Sequence, residues 1–199
     1  GVHNMSVPDR LAVSNMAIEA GGKAGIFPCD DKTEEYIKDF VRGDYTPVEA
    51  DPDAQYCRVL KYDLSELESM VAFPHLPSNG HAVKDVDVKI DQAYLGSCTN
   101  GRIEDMRVAA EIIKGRKVAD GVRFIVVPAS QRVYRAMVDE GLMDIFLDAG
   151  AFVSGPTCGA CLGGYMGILA AGERAVSSTN RNFIGRMGEQ GLRGLPRRS

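Results

Sequence analysis

No stretch of this chain approaches the roughly 18–20 consecutive apolar residues that a membrane-spanning helix needs. The opening GVHNMSVPDR has neither the basic nor the apolar region of a secretory signal. An excess of positive charge is missing too. Lys and Arg number 23 against 27 Asp and Glu, a net charge of −4, which speaks against a broad electrostatic affinity for nucleic acid. The cysteines do not make an even set: there are five in 199 residues, and a chain of this size can bury a core without disulfide staples. A reducing, cytoplasmic setting is expected, in which thiols serve as metal ligands, catalytic groups or core residues. Histidine is scarce. His3 lies near a terminus and His75 and His81 lie in an irregular stretch, so none marks a general base.

What remains is ordinary in composition: 45% apolar and 25% charged residues, a globular balance that excludes disorder as the dominant state. The length suits one good-sized domain, or one domain and part of another.

Along the first part of the chain, Asp9 is a candidate N-cap for a helix through LAVSNMAIEA, stopped at Gly21-Gly22. Asn15 and Glu19, four apart, would share one face of it. A strand AGIFP should follow, then a helix TEEYIKDFVRG opened by a capping box of Asp31 and Glu34 and closed at Gly43. Tyr45 to His81 is proline-rich, with a strand expected at CRVLKYDL, and HLPSNGHAVKDV reads as a linker through Pro77 and Gly80.

The remainder alternates. Strands are expected at IDQAYLG, RFIVVP, AFVS and ERAVSS. Helices are expected at RIEDMRVAAEIIKG, QRVYRAMVDEG and MDIFLDAG, with CLGGYMGILAAG helical in part. Strand–helix–strand alternation with continuous apolar strands predicts a parallel sheet covered on both faces.

Ligands of open α/β sheets bind beyond the carboxyl ends of the strands. The polar, glycine-rich text falls there: Ser97–Arg102, Gly155–Gly163 and Thr179–Arg186. Together these three loops carry Cys98, Cys158 and Cys161. The C-x-x-C of Cys158 and Cys161 alone fits zinc, a redox dithiol or an iron–sulfur cluster. A four-thiolate zinc site needs one ligand more than Cys98 supplies, and Cys29 and Cys57 read as buried strand residues. A three-thiolate site uses all the loop cysteines and would leave one iron of a four-iron cluster open. Arg181 and Arg186 stand five apart in NRNFIGR, and guanidinium forks bind carboxylates through two hydrogen bonds. An open iron beside two arginines suits a small hydroxy acid with more than one carboxylate, with the metal as Lewis acid on its hydroxyl.

LGSCTNGR, GPTCGACLGG and SSTNRNFIGRMG resemble, in order and spacing, the cluster and arginine motifs of the aconitase superfamily. Within it, SNMAIEAGGKAGIFPCDDKT is similar to the large subunits of 3-isopropylmalate dehydratases, with homoaconitase large subunits close behind. The resemblance spans about Asp9 to Gly188. It implies an aconitase-like three-layer α/β/α fold with mainly parallel sheets. It implies that Cys98, Cys158 and Cys161 hold a [4Fe-4S] cluster, and that Asn180, Arg181 and Arg186 bind substrate. Asn15 and Glu19 match the N-x-x-x-E pair that the family brings to the cluster as catalytic residues. The implied reaction removes and re-adds water, moving a hydroxyl between adjacent carbons: for the dehydratase, between 2- and 3-isopropylmalate in leucine biosynthesis. The implied partner is a small, swivelling subunit; no nucleic-acid or membrane partner is implied.

On this reading residues 1–82 are part of a preceding α/β domain plus linker, and 83–188 a truncated cluster-binding domain. Residues 189–199, EQGLRGLPRRS, depart from the family's continuation as a poorly ordered, non-family tail. The chain is expected to be a fragment, incomplete at both ends and inactive alone. The alternatives are homoaconitase or another dehydratase of the family, or a non-catalytic binding or regulatory module.

Overall fold

The computed structural model describes residues 2–182 and 184–188, so the tail expected at 189–199 lies outside the described residues. The chain divides into two compact units, Gly1–Ser69 and Met70–Ser199.

The first unit carries helix α1 (Val7–Asn15), which passes into a 3-10 turn (Met16–Ala20), and helix α2 (Asp31–Ile37). The N-cap of α1 is Ser6, not Asp9: the Ser6 side chain accepts from the Asp9 N–H, and the Asp9 carboxylate accepts from the Ser6 N–H. A capping box was thus present three residues earlier than expected, with Asp9 as its far end. Helix α2 is likewise capped one residue early, by Asp30, and ends at Ile37, well short of Gly43. Asp30 also receives both ends of the Arg10 guanidinium, at 2.6 and 2.9 Å. That bond, with the Thr33 N–H, holds the Asp30 carboxyl far below its ordinary range. Arg10 is the buried residue of α1, and this fork ties the two helices together.

Neither strand expected in the first unit forms; among the described residues it has none. A strand exists only against a partner. AGIFP and CRVLKYDL have apolar letters but no ladder, and Ile26, Val59 and Tyr62 stand 87%, 70% and 73% exposed. Cys57 is exposed and Cys29 half-buried, so neither is the core residue it was read as.

The second unit opens with a hairpin, β1 (Met70–Ala72) antiparallel to β2 (Gly80–Ala82). It occupies the stretch read as a linker: Pro74 to Asn79 make the turn, and Phe73 stacks edge-on against His81 at 4.9 Å. Beyond it lies a four-stranded sheet of β3 (Gln92–Leu95), β4 (Arg123–Val126), β5 (Phe152–Val153) and β6 (Ala175–Ser177). The strand order is β5-β4-β3-β6, parallel throughout, as expected.

Helices α3 (Ile103–Ile113), α4 (Gln131–Asp139) and α5 (Leu142–Ala149) pack on one face of this sheet. Their apolar residues recur at helical spacing: Met106 and Ala110, Val133 and Met137, Leu142, Phe146 and Ala149. These meet Leu95, Phe124, Val126 and Val153 from the strands. Met106, Met137 and Phe146 are wholly buried, each worth about 1.5–3 kcal/mol over an exposed side chain. Ser130 caps α4 by accepting from the Val133 N–H.

The alternate strand residues Tyr94, Ile125 and Val127 point to the other face, against Ala160, Met166 and Met187. Both faces are therefore covered, but among the described residues only one is covered by α-helices. The stretch CLGGYMGILAAG, expected to be partly helical, makes one 3-10 turn (Gly159–Leu162) and then irregular chain. Left-handed backbone at Gly163, Tyr165 and Gly167 ends any helix there.

A polar knot anchors this irregular layer at the amino end of the sheet. Gln92, fully buried, donates to the Gly167 carbonyl at 2.7 Å and accepts from Arg123 Nε at 3.2 Å. Arg123 grips Glu173 through two bonds of 2.7 Å. That fork, with the Ala170 N–H, lowers the Glu173 carboxyl from 4.5 to about 2. A carboxyl depressed in the folded state stabilises above its unfolded value, and the stabilisation is lost as the pH falls through the folded one. Acid titration followed by circular dichroism should therefore show a destabilisation between pH 4.5 and 2 that Glu173→Gln flattens. An unchanged slope in that variant would remove the fork from the stability of the unit.

Candidate functional site

β3 connects through α3 to β4 on one side, while β6 lies on its other side. The gap between β3 and β6 is thus a topological switch point, where the loops leaving two adjacent parallel strands diverge and leave a crevice. The loop after β3 carries Ser97, Cys98, Thr99 and Asn100, and the loop after β6 carries Ser178, Thr179, Asn180 and Arg181.

These two loops are stitched together. The Gly96 N–H donates to Ser178 Oγ at 2.8 Å. Asn100 Nδ2 donates to the Ser178 carbonyl at 2.6 Å and also to Asn180 Oδ1. Within the first loop, Ser97 Oγ accepts the N–H groups of Thr99 and Asn100 at 3.2 and 2.9 Å, in the manner of a Ser turn. Ser97, Thr99 and Asn180 are buried while Cys98 between them is exposed, so the turn presents the thiol outward.

The Gly155–Gly163 loop leaves β5 and folds the 3-10 turn that begins after Cys158 and contains Cys161. Cys158 is exposed and Cys161 half-buried, and both are free thiols. Beneath the turn stands Tyr94 of β3, 2% exposed, its hydroxyl 3.4 Å from the Cys158 carbonyl. Burial pushes the Tyr94 phenol up to about 12; the Cys161 and Cys158 thiols add to this, while the Ala160 and Cys161 N–H groups act against it. Arg186 closes the far side, with Nη2 3.7 Å from Cys161 Sγ. The backbone around it is close: a Cβ on Gly163 would stand 3.0 Å from the Arg186 carbonyl. Asn182 donates to the Phe73 carbonyl at 2.9 Å, tying the β6 loop to the β1–β2 hairpin.

Asn180, Arg181 and Arg186 follow one strand end, Cys98 follows a second, and Cys158 and Cys161 follow a third. Among the described residues no three His, Cys, Asp or Glu side chains converge closely enough to hold a single metal ion. A cubane does not ask for that, since each cysteine binds a different iron. The donor set fits such a cluster in kind: three unpaired soft thiols on two loops at one sheet edge. Asn15 and Glu19 belong to the first unit. Asn15 ends α1 and Glu19 lies in the 3-10 turn after it, so the change of helical pitch removes the shared α-helical face expected of them.

Asn100, Tyr94 and Gln92 were missed as site or supporting residues. The signal was available in part, since Gln92 and Tyr94 are polar groups inside the expected strand IDQAYLG. The surface cleft in the first unit lined by Asp9, Lys61, Tyr62 and Asp63 contains none of the expected site residues. Among the described residues no helix is long and apolar enough to cross a membrane.

Comparison with known proteins gives a consistent result. Residues 1–195 match the model of the Aconitase family (aconitate hydratase). The chain is 59% identical over 189 residues to the 3-isopropylmalate dehydratase large subunit of Acetivibrio thermocellus. It is 57% identical to that of Clostridium kluyveri and 54% to that of Halothermothrix orenii. Each alignment takes in 94% of this chain but 45% of the relative, so the chain spans about half the length of the curated relatives it matches.

Proposed function

The chain belongs to the aconitase family, and from that premise we propose that it is the cluster-holding part of a hydro-lyase of the 3-isopropylmalate dehydratase large-subunit type. The proposed reaction interconverts 2- and 3-isopropylmalate, in leucine biosynthesis, by loss and return of water. The relatives named for that enzyme, 54–59% identical, support this substrate over a homologous hydroxy acid.

The observation that carries the reading is the approach of Arg186 to Cys161 at 3.7 Å. It sets a guanidinium fork, of the kind that binds carboxylates, directly beside a free thiol at the carboxyl edge of a parallel sheet. Cys98, Cys158 and Cys161 would hold a [4Fe-4S] cluster. When bound, that cluster supplies an iron without a cysteine ligand, a Lewis acid for the substrate hydroxyl. Arg181 and Arg186 bind the substrate carboxylates, Arg by preference because its planar fork matches a carboxylate in two bonds. Asn180 offers a side-chain amide whose direction is set by Asn100. Asn15 and Glu19 are assigned catalytic parts on the family's N-x-x-x-E pattern.

Turnover is proposed for the large subunit assembled with its small partner, in the cytoplasm, where thiols stay reduced, rather than for these 199 residues by themselves. The test is anaerobic reconstitution of the chain with iron and sulfide. A cubane absorbance is expected, with an electron paramagnetic resonance (EPR) signal once the cluster is reduced by one electron with dithionite. Stoichiometric zinc in its place, with no cubane, would overturn the cluster assignment. A complete large subunit with its partner should then prefer 3-isopropylmalate to homoaconitate; the reverse preference would transfer the substrate assignment.

A further inference from the structure

The Tyr94 hydroxyl touches the C-x-x-C turn at its backbone rather than at its sulfurs. It donates to the Cys158 carbonyl at 3.4 Å. One phenol thus meets the backbone where the turn between the two thiols begins. The fit needs Gly159: a Cβ there would stand 2.4 Å from the hydroxyl oxygen, on backbone with φ +49°. Tyr94 also sits on β3, four residues before Cys98, in a strand locked to β4 and β6 by register. It is therefore the side chain through which the strand leading to one thiol meets the turn holding the other two.

We propose that Tyr94 is a positioning residue that sets the distance between Cys98 and the Cys158–Cys161 pair. The inference rests on the cluster reading of these cysteines but uses contacts present in the chain itself. The ring packs with Ile125, Val127 and Ala160, so Tyr94→Phe keeps the packing and removes only the oxygen. Gly159→Ala disturbs the same contact from the other side.

Two readouts separate the inference from the cluster assignment. In the metal-free chain, alkylation of each cysteine by iodoacetamide is followed by peptide mass spectrometry. Tyr94→Phe should raise the rate at the half-buried Cys161 about fivefold, the factor that one lost hydrogen bond is worth. Cys98, Cys57 and Cys29 should be unchanged. Gly159→Ala should do the same. In the reconstituted chain, the cluster absorbance of Tyr94→Phe should decay several-fold faster in air than that of the wild type. A uniform rise at all five cysteines, which is what a merely loosened fold would give, overturns the inference. So does an unchanged alkylation rate at Cys161. If the wild type takes up no cluster, the cluster reading fails alone, and the alkylation rates still decide the role of Tyr94.

Discussion

Gly96→Ala should strongly destabilise the second unit, lowering its melting temperature by on the order of 10 °C or more. Two costs coincide at this position. The backbone has φ +112°, a region that a residue with a side chain occupies at about 1–3 kcal/mol. In addition, a Cβ would stand 1.9 Å from the Val127 carbonyl oxygen, and that atom is main chain. It cannot swing aside as a side chain would. Relief requires β3 and β4 to part at their carboxyl ends, where Val127 N–H donates to Leu95 O at 2.8 Å and Gly96 N–H donates to Ser178 Oγ. Both bonds hold the turn that presents Cys98. The control is Gly121→Ala, with φ +79° but open space around the Cβ; it meets only the conformational cost and should lose about 1 kcal/mol. Thermal denaturation of the two variants side by side decides the matter. Equal losses would mean that the close approach to Val127 has no energetic weight.

The contrast between the two units explains what could be read in advance. Helices α3, α4 and α5 were legible because each carries its own period. Met106–Ala110, Val133–Met137 and Leu142–Phe146 mark a face whatever the rest of the chain does. The strand β4 was legible because a continuous apolar run, FIVV, is what burial on both faces demands, and Val126 and Val127 are both wholly buried. AGIFP and CRVLKYDL carried the same kind of letters but found no ladder. Pairing is a non-local property, and no local pattern contains it. The linker reading of Pro77 and Gly80 failed in the opposite way, since turn residues also mark the bend of a hairpin.

The candidate site divides along the same line. Cys98, Cys158, Cys161, Asn180, Arg181 and Arg186 could be singled out because chemistry-bearing residues gather in three strand-end loops. The residues that hold those loops could not. Asn100 reaches across 80 positions of sequence to Asn180, Gln92 across 75 to Gly167, and Tyr94 across 64 to Cys158. Each is an ordinary polar residue whose role exists only after the sheet has brought its partner alongside.

Cys98→Ser should leave a folded chain that no longer takes up a cubane. The thiol is exposed, and the turn around it is held by Ser97 Oγ and Asn100 rather than by sulfur. Oxygen for sulfur there should move the melting temperature by no more than about 2 °C. The effect on metal is of another order. A thiol gives up its proton readily against iron, whereas a serine hydroxyl at neutral pH gives up no proton to the solvent and is a poor match for a soft site. The pair that remains, Cys158 and Cys161, comes from a single turn and could hold two irons of a cube but not its third corner. Reconstituted Cys98→Ser should therefore show background absorbance and no cubane EPR signal, while Cys57→Ser, altered at an exposed thiol of the first unit, should load like the wild type. A cluster that survives in Cys98→Ser would detach the loop after β3 from metal binding. The crevice between β3 and β6 would then hold Asn180 and Arg181 without a metal beside them. Loss of the cluster in Cys57→Ser as well would move the metal out of the second unit. Only the combination of loss at Cys98 and retention at Cys57 fits a cluster held across the switch point by the ends of different strands.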